Sequence, residues 1–397
     1  MNDDVSELDV GKPLWDPEAG WQFVSLIAGS LLIGFLSTCC CQKASHDQMA
    51  GPAIVKGDAK QFPQTVVSPH DEAPIRPGKN VLWCSTFQLV WNEACRYAGG
   101  GIHMEREPAV VPILNKKNAS QDDVDRASCL VLSGLVEQGI IGKIREELAR
   151  KFEGQASPDL LNSIELSRPD GYLAYAYLFR ALPFRYPLKR QDEPLTFGTA
   201  KVASFGLRNV TGRVDEMTRA EQIKVLDYKN GDDFIVALQP EDKNERIVLA
   251  KIAPADTLPK TVAAARSRIA ASDPGSGPDR WKREWQREFH IGESLVVPLL
   301  DFELWKQYDE LCGKTITTPG PLHGMPIVAA LQAIRFRLDE HGAILKSEAT
   351  MVKGMAESEP RQLIFDKPFL ILLERRDARR PYFALWVDNT ELLTPWK

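Results

Sequence analysis

The sequence is short of the residues that most enzymes and metalloproteins need. Six histidines occur in 397 residues (His46, His70, His103, His290, His323 and His341), and none sits in an H-E-x-x-H pattern. No G-x-S-x-G elbow and no Walker loop appears, so the hydrolase and nucleotide-binding motifs are missing. An enzyme is the least favoured class, and no residue is assigned as catalytic. There is no C-x-x-C pair among the seven cysteines, which argues against a structural zinc site and for small apolar core residues. No metal or cofactor is expected. Positive charge is not in excess either. A net charge of -5 gives no electrostatic footprint for nucleic acid. Repeats at solenoid periods are absent, and so is any long low-complexity tract.

The chain is not short of apolar residues, which make up 44% of it, enough for one large domain or two ordinary ones. From Phe23 to Cys41 nineteen residues carry no charge, the length a helix needs to cross a hydrocarbon core. Trp21 suits one membrane interface, and Ser30 with Gly34 form a small-xxx-small pair. A cleaved secretory signal fits poorly, because the first twenty residues carry six acids against Lys12 alone. LSTC, ending at Cys39, loosely resembles a bacterial lipobox, so an acyl anchor at Cys39, Cys40 or Cys41 is the alternative to a spanning helix. Lys43, Lys56 and Lys60 follow the run and only Lys12 precedes it, a charge bias too small to set orientation. The chain thus divides into an acidic segment (1–20), a transmembrane helix or lipoprotein-type anchor (21–41), a Pro- and charge-rich linker (42–79) and a globular domain (80–397).

Within the domain, helical spacing comes first and strand patterns later. Asn80 to Gly99 reads as a buried helix on Phe87, Val90, Trp91, Ala94 and Cys95. Ser120 to Asp123 resembles a capping box, opening a helix with Ile141, Ile144, Leu148 and Phe152 on one face and Glu147 paired with Lys151 outside. Trp281, Trp285 and Phe289 repeat at helical spacing and read as packing, and residues 272–283 read as a surface loop. DFIVALQP (Asp233 to Pro240) and SLVVPLLDFEL (Ser294 to Leu304) read as single buried strands. QAIRFRLD (Gln332 to Asp339) alternates, with Ile334, Phe336 and Leu338 on one side and Arg335 and Arg337 on the other. Two apolar runs joined by RRDARR predict a hairpin near the C-terminus. The order implies an α+β fold.

Several local motifs look like the serpin superfamily. Asn80-Val-Leu-Trp-Cys-Ser is similar to the family's first-helix motif. LAYAYLFRALPFRYPL (Leu173 to Leu188) resembles its central strand and the following turn. LDEHG (Leu338 to Gly342) resembles its hinge, and FDKPFLILL (from Phe365) with PYFALWV (from Pro381) resembles its closing hairpin. The resemblance covers residues 80–397. It implies a serpin-like fold with N-terminal helices, large β-sheets and an exposed reactive-type loop. The protein would then be a suicide inhibitor of a serine or cysteine protease, or a non-inhibitory, membrane-tethered binding module on the same scaffold. The sequence departs from the family at Cys84-Ser-Thr-Phe87, where the shutter normally reads Ser-Pro-x-Ser. It departs again at Gln332, where inhibitory members commonly place a histidine. The interval between the first helix and Tyr177 is also short.

By the resemblance, Glu340, Gly342, Ala343, Leu345, Ser347 and Ala349 form the hinge, and Cys84, Ser85 and Phe87 the shutter equivalent. Counting from Gly342 puts the reactive bond at Ala356–Glu357, after Met355. Counting back from Pro368 puts it at Glu357–Ser358. Insertion buries every second side chain. Ala343, Leu345, Ser347 and Ala349 are small but for one Leu, whereas Lys346 and Glu348 in the other set would bury two charges. Only the first register is feasible, and it needs a one-residue switch at Gly342. Against insertion, Leu345, Ala349, Val352 and Ala356 follow helical spacing among good helix formers.

Overall fold

The computed structural model describes residues 54–152, 161, 170–180, 182–342 and 359–397. The transmembrane or lipoprotein-type segment, residues 21–41, lies outside them. Among the described residues no helix is long and apolar enough to cross a membrane. Residues 50–397 form one compact unit.

Four sheets carry the unit. The first has the order β1 (Val55–Asp58), β14 (Leu300–Gln307), β15 (Ile327–Leu338), β5 (Tyr172–Arg180) and β4 (Cys129–Leu135). The second runs β10 (Ile223–Asn230), β11 (Asp233–Leu238), β12 (Glu245–Lys251), β17 (Phe369–Arg375), β18 (Phe383–Val387), β3 (Asn80–Cys84) and β2 (Thr65–Ser68). The third runs β16 (Gln362–Ile364), β13 (Ser294–Pro298), β9 (Ser204–Leu207) and β6 (Lys189–Arg190), and β7 (Leu195–Phe197) pairs with β8 (Ala200–Val202). Among the described residues the helices are α1 (Ser85–Ala98), α2 (Val110–Leu114), α3 (Ile140–Phe152), α4 (Val214–Ala220), α5 (Leu258–Ala271) and α6 (Arg280–Gln286).

The expected closing hairpin forms, with Phe369 opposite Val387 and Leu373 opposite Phe383. Ile334, Phe336 and Leu338 enter one core cluster together, and Arg335 on the opposite face pairs with Asp301 at 2.5 Å. Several elements differ from the sequence reading, each through a tertiary partner. Asn80 to Cys84 is a strand, not the first turn of the helix, because β18 and β2 pair with it on both sides. The helix begins at Ser85 and ends at Gly99, whose φ of 81° glycine adopts without strain. The capping box at Ser120 and Asp123 is real but closes a 3-10 turn, and β4 intervenes before α3. On α3, Glu147 pairs with Arg150 rather than Lys151, which donates to the carbonyls of Arg126 and Cys129.

SLVVPLLDFEL is two strands in two sheets, because the chain changes sheet at Leu299. Residues 272–279 are loop as read, but α6 starts at Arg280 and leaves Trp281 exposed, so Trp281, Trp285 and Phe289 are not a packed stripe. Part of the stretch read as linker belongs to the fold. β1 pairs with β14 and β2 with β3, and the buried Asn80 donates to Thr65 Oγ1 and Asn389 Oδ1.

Candidate functional site

β5 and β15 lie side by side, parallel, paired from Tyr172 against Ile327 to Arg180 against Phe336. Their outer neighbours, β4 and β14, are both antiparallel to them. This parallel seam therefore lies between two antiparallel pairings, and the chain leaving β15 passes straight into the hinge.

At the top of the seam the hinge rests on the segment that follows β5. His341 O accepts from Phe184 N at 3.1 Å, and Glu340 O accepts from Leu188 N at 2.7 Å. Phe184 and Leu188 are themselves buried, so this bed is part of the core. Asp339 is buried, pairs with Arg337 and accepts from His341 N at 3.0 Å. Burial pushes its carboxyl up, against the pull of Arg337. Gly342 has φ 60°, and a Cβ there would stand 2.3 Å from Phe184 N and 2.4 Å from Leu182 O. Both the backbone angle and the close approach require glycine. On the β5 side, Arg180 binds Glu245 at 2.5 Å and Asp125 at 3.3 Å, and Tyr382 OH donates to Glu245 at 2.9 Å.

Halfway down, the seam faces the start of α1. Gln332 Nε2 donates to Cys84 O at 3.1 Å and Thr86 Oγ1 at 3.0 Å, while its Oε1 accepts from Tyr308 OH at 2.6 Å. Cys84 Sγ lies 3.2 Å from Thr86 Oγ1. All four side chains are buried. Burial pushes the Cys84 thiol up to about 12, so it stays protonated at neutral pH. Phe87 packs on Tyr308, with ring centroids 4.3 Å apart. Ser85 is buried without a hydrogen-bond partner for its Oγ among the described residues. Gln332 thus ties β15 to the end of β3, the first turn of α1 and Tyr308 by donating twice and accepting once, a satisfied network that is costly to break.

Of the site residues expected from sequence, Cys84, Ser85 and Phe87 gather at this crossing, and Glu340 and Gly342 at the hinge. Ala343, Leu345, Ser347 and Ala349 lie outside the described residues, as do Met355, Ala356, Glu357 and Ser358. Sequence reasoning missed Thr86, Tyr308, Asp339 and the bed at Leu182 to Leu188. Tyr308 is over two hundred residues from Thr86, so no local spacing could have linked them.

No family model matches the sequence, and no curated protein matches it. Solved structures do. The chain is similar to maspin, at 9% identity over 78% of this chain and 92% of that one, with a TM-score of 0.48. It is similar to serine protease inhibitor (serpin)-12 of Manduca sexta, at 11% identity over 78% and 92%, with a TM-score of 0.45. It is similar to native protease nexin-1 with heparin, at 11% identity over 81% and 93%, with a TM-score of 0.43. Among the described residues, Glu340 and His341 tie the end of β15 to the segment after β5, and Gln332 ties the middle of β15 to Cys84, Thr86 and Tyr308.

Proposed function

We propose that this protein is a serpin-like inhibitor that offers residues 343–358 to a serine or cysteine protease and, once cut, inserts the hinge side of that segment between β5 and β15. The observation that carries the reading is the parallel seam joined directly to the hinge. A segment turning back at Gly342 would run antiparallel to both strands. One parallel ladder would become two antiparallel ones, which pair somewhat better per residue.

The two faces beside the hinge differ as the feasible register needs. Ile334, Phe336 and Leu338 face a closed core, while Arg335 and Arg337 are only half-buried. Ala343, Leu345, Ser347 and Ala349 suit the closed face, and Lys346 and Glu348 the other. A small residue or Met at the reactive bond fits a protease with an apolar specificity pocket.

A second reading keeps the same fold but no insertion. The contacts at Phe184, Leu188 and Gln332, with Leu345 in the inserting set, favour a binding module whose loop stays outside. In both readings residues 21–41 tether the protein to a membrane, on a side left unassigned.

One experiment separates them. The full-length protein in detergent is incubated with an elastase-like and with a subtilisin-like protease, then resolved on a denaturing gel. A covalent adduct that survives denaturation, with a cleaved form that melts higher, is the expected result. Cleavage with neither would leave the binding-module reading standing.

A further inference from the structure

Among the described residues eight large apolar side chains are exposed, and four of them cluster around α6. Trp281 is 69% exposed, Trp285 36%, Tyr228 37% and Ile291 41%. The last three line an open cleft of about 570 Å³, where Trp285 stacks on His290 with ring centroids 4.2 Å apart. The same stretch is basic. RWKREWQRE, residues 280–288, nets +2 in a chain of net charge -5. Arg280 pairs with Glu284 at 2.6 Å and Arg283 donates to Pro274 O at 2.9 Å. The exposed Lys282 has no ion-pair partner among the described residues, whereas Arg287 is half-buried and lies in the field of Asp273. Exposed aromatics beside an exposed, unpaired lysine do not pack a core, and a lysine next to Trp281 is unlike the centre of a protein–protein interface, where lysine is depleted.

We propose that this face is a second contact of the protein with a membrane, one that reads anionic headgroups. Indole rings settle at the headgroup level, and cations beside them gain from a negative leaflet. The inference rests on the membrane reading of residues 21–41. For a chain already held at a membrane, a weak second contact gains from a high effective concentration.

The test uses the full-length protein reconstituted in phosphatidylcholine vesicles, with and without phosphatidylserine, the acyl chains brominated to quench tryptophan. Trp21 contributes equally in every variant, so the difference between variants is the readout. The expected result is a quenched component that requires phosphatidylserine, falls in high salt, is lost in Trp281→Phe and is reduced in Lys282→Glu, with unchanged melting temperatures. Quenching that is identical in wild type and Trp281→Phe overturns the inference. So does quenching indifferent to phosphatidylserine, or a blue-shifted, unquenched Trp281 in a protein of doubled mass, which would mean a second copy covers the face. Alkaline carbonate washing separates the two readings. A chain retained after washing but showing no Trp281 difference loses only this inference, and a chain that washes off loses the anchor.

Discussion

Gly342 is the residue on which the hinge geometry turns. It combines a left-handed backbone with a carbonyl and an amide closer than any Cβ tolerates. Replacing it with alanine should cost about 2–4 kcal/mol, part from the backbone angle and part from displacing the bed at Leu182 and Phe184. The expected outcome for Gly342→Ala is a lower melting temperature together with faster proteolysis of the segment after it. An unchanged melting temperature would mean the hinge is not held where the structure places it. A glycine two residues after Glu340 was visible in the sequence, and so was the need for a register switch there. The reason no other residue fits was not, because Leu182 and Phe184 come from the segment that follows the other strand of the seam.

At the scale of elements, the question is whether β5 and β15 separate. Their ladder is flanked by antiparallel neighbours on both sides, so an added strand would leave no new edge in the sheet. Resistance comes from the β5–β15 ladder itself and from the two hinge hydrogen bonds, each bond worth about 1 kcal/mol net. A synthetic peptide with the sequence of Ala343 to Gly354 is a direct probe. If the seam opens, excess peptide should raise the melting temperature by about 5 °C, and a scrambled peptide should not. No shift after long incubation at sub-denaturing temperature would favour the binding-module reading. The alternation of β15 and the closing hairpin were legible from period-two patterning. The strand nature of Asn80 to Cys84 was not, since its apolar residues fit helical spacing equally well and only the partners β18 and β2 decide it.

For the whole molecule, acid stability depends on groups that pull in opposite directions. Burial alone would raise Glu216, but bonds from Lys189 and from the Thr211 amide and hydroxyl hold it down to about 2, against an ordinary value of 4.5. Its folded pKa is depressed, so its contribution is present above 4.5 and is lost as pH falls toward about 2. Asp339 is raised by burial, so its contribution is largest when protonated and fades as pH rises through its folded value. Melting temperature measured from neutral pH down to about 2 should therefore fall less steeply for Glu216→Gln than for wild type. Parallel curves would show that Glu216 carries no acid-sensitive stability.

By itself the sequence determined the α+β class, the alternating strand into the hinge, the closing hairpin and a long uncharged run, because these rest on local period and composition. The tertiary structure alone decided that the N-terminal run at Asn80 is a strand, that SLVVPLLDFEL divides between two sheets, and that Trp281 faces solvent. It alone also brought Gln332, Tyr308 and Thr86 to one point. Burial and pairing depend on residues far apart in the chain, and neither period nor spacing carries that information.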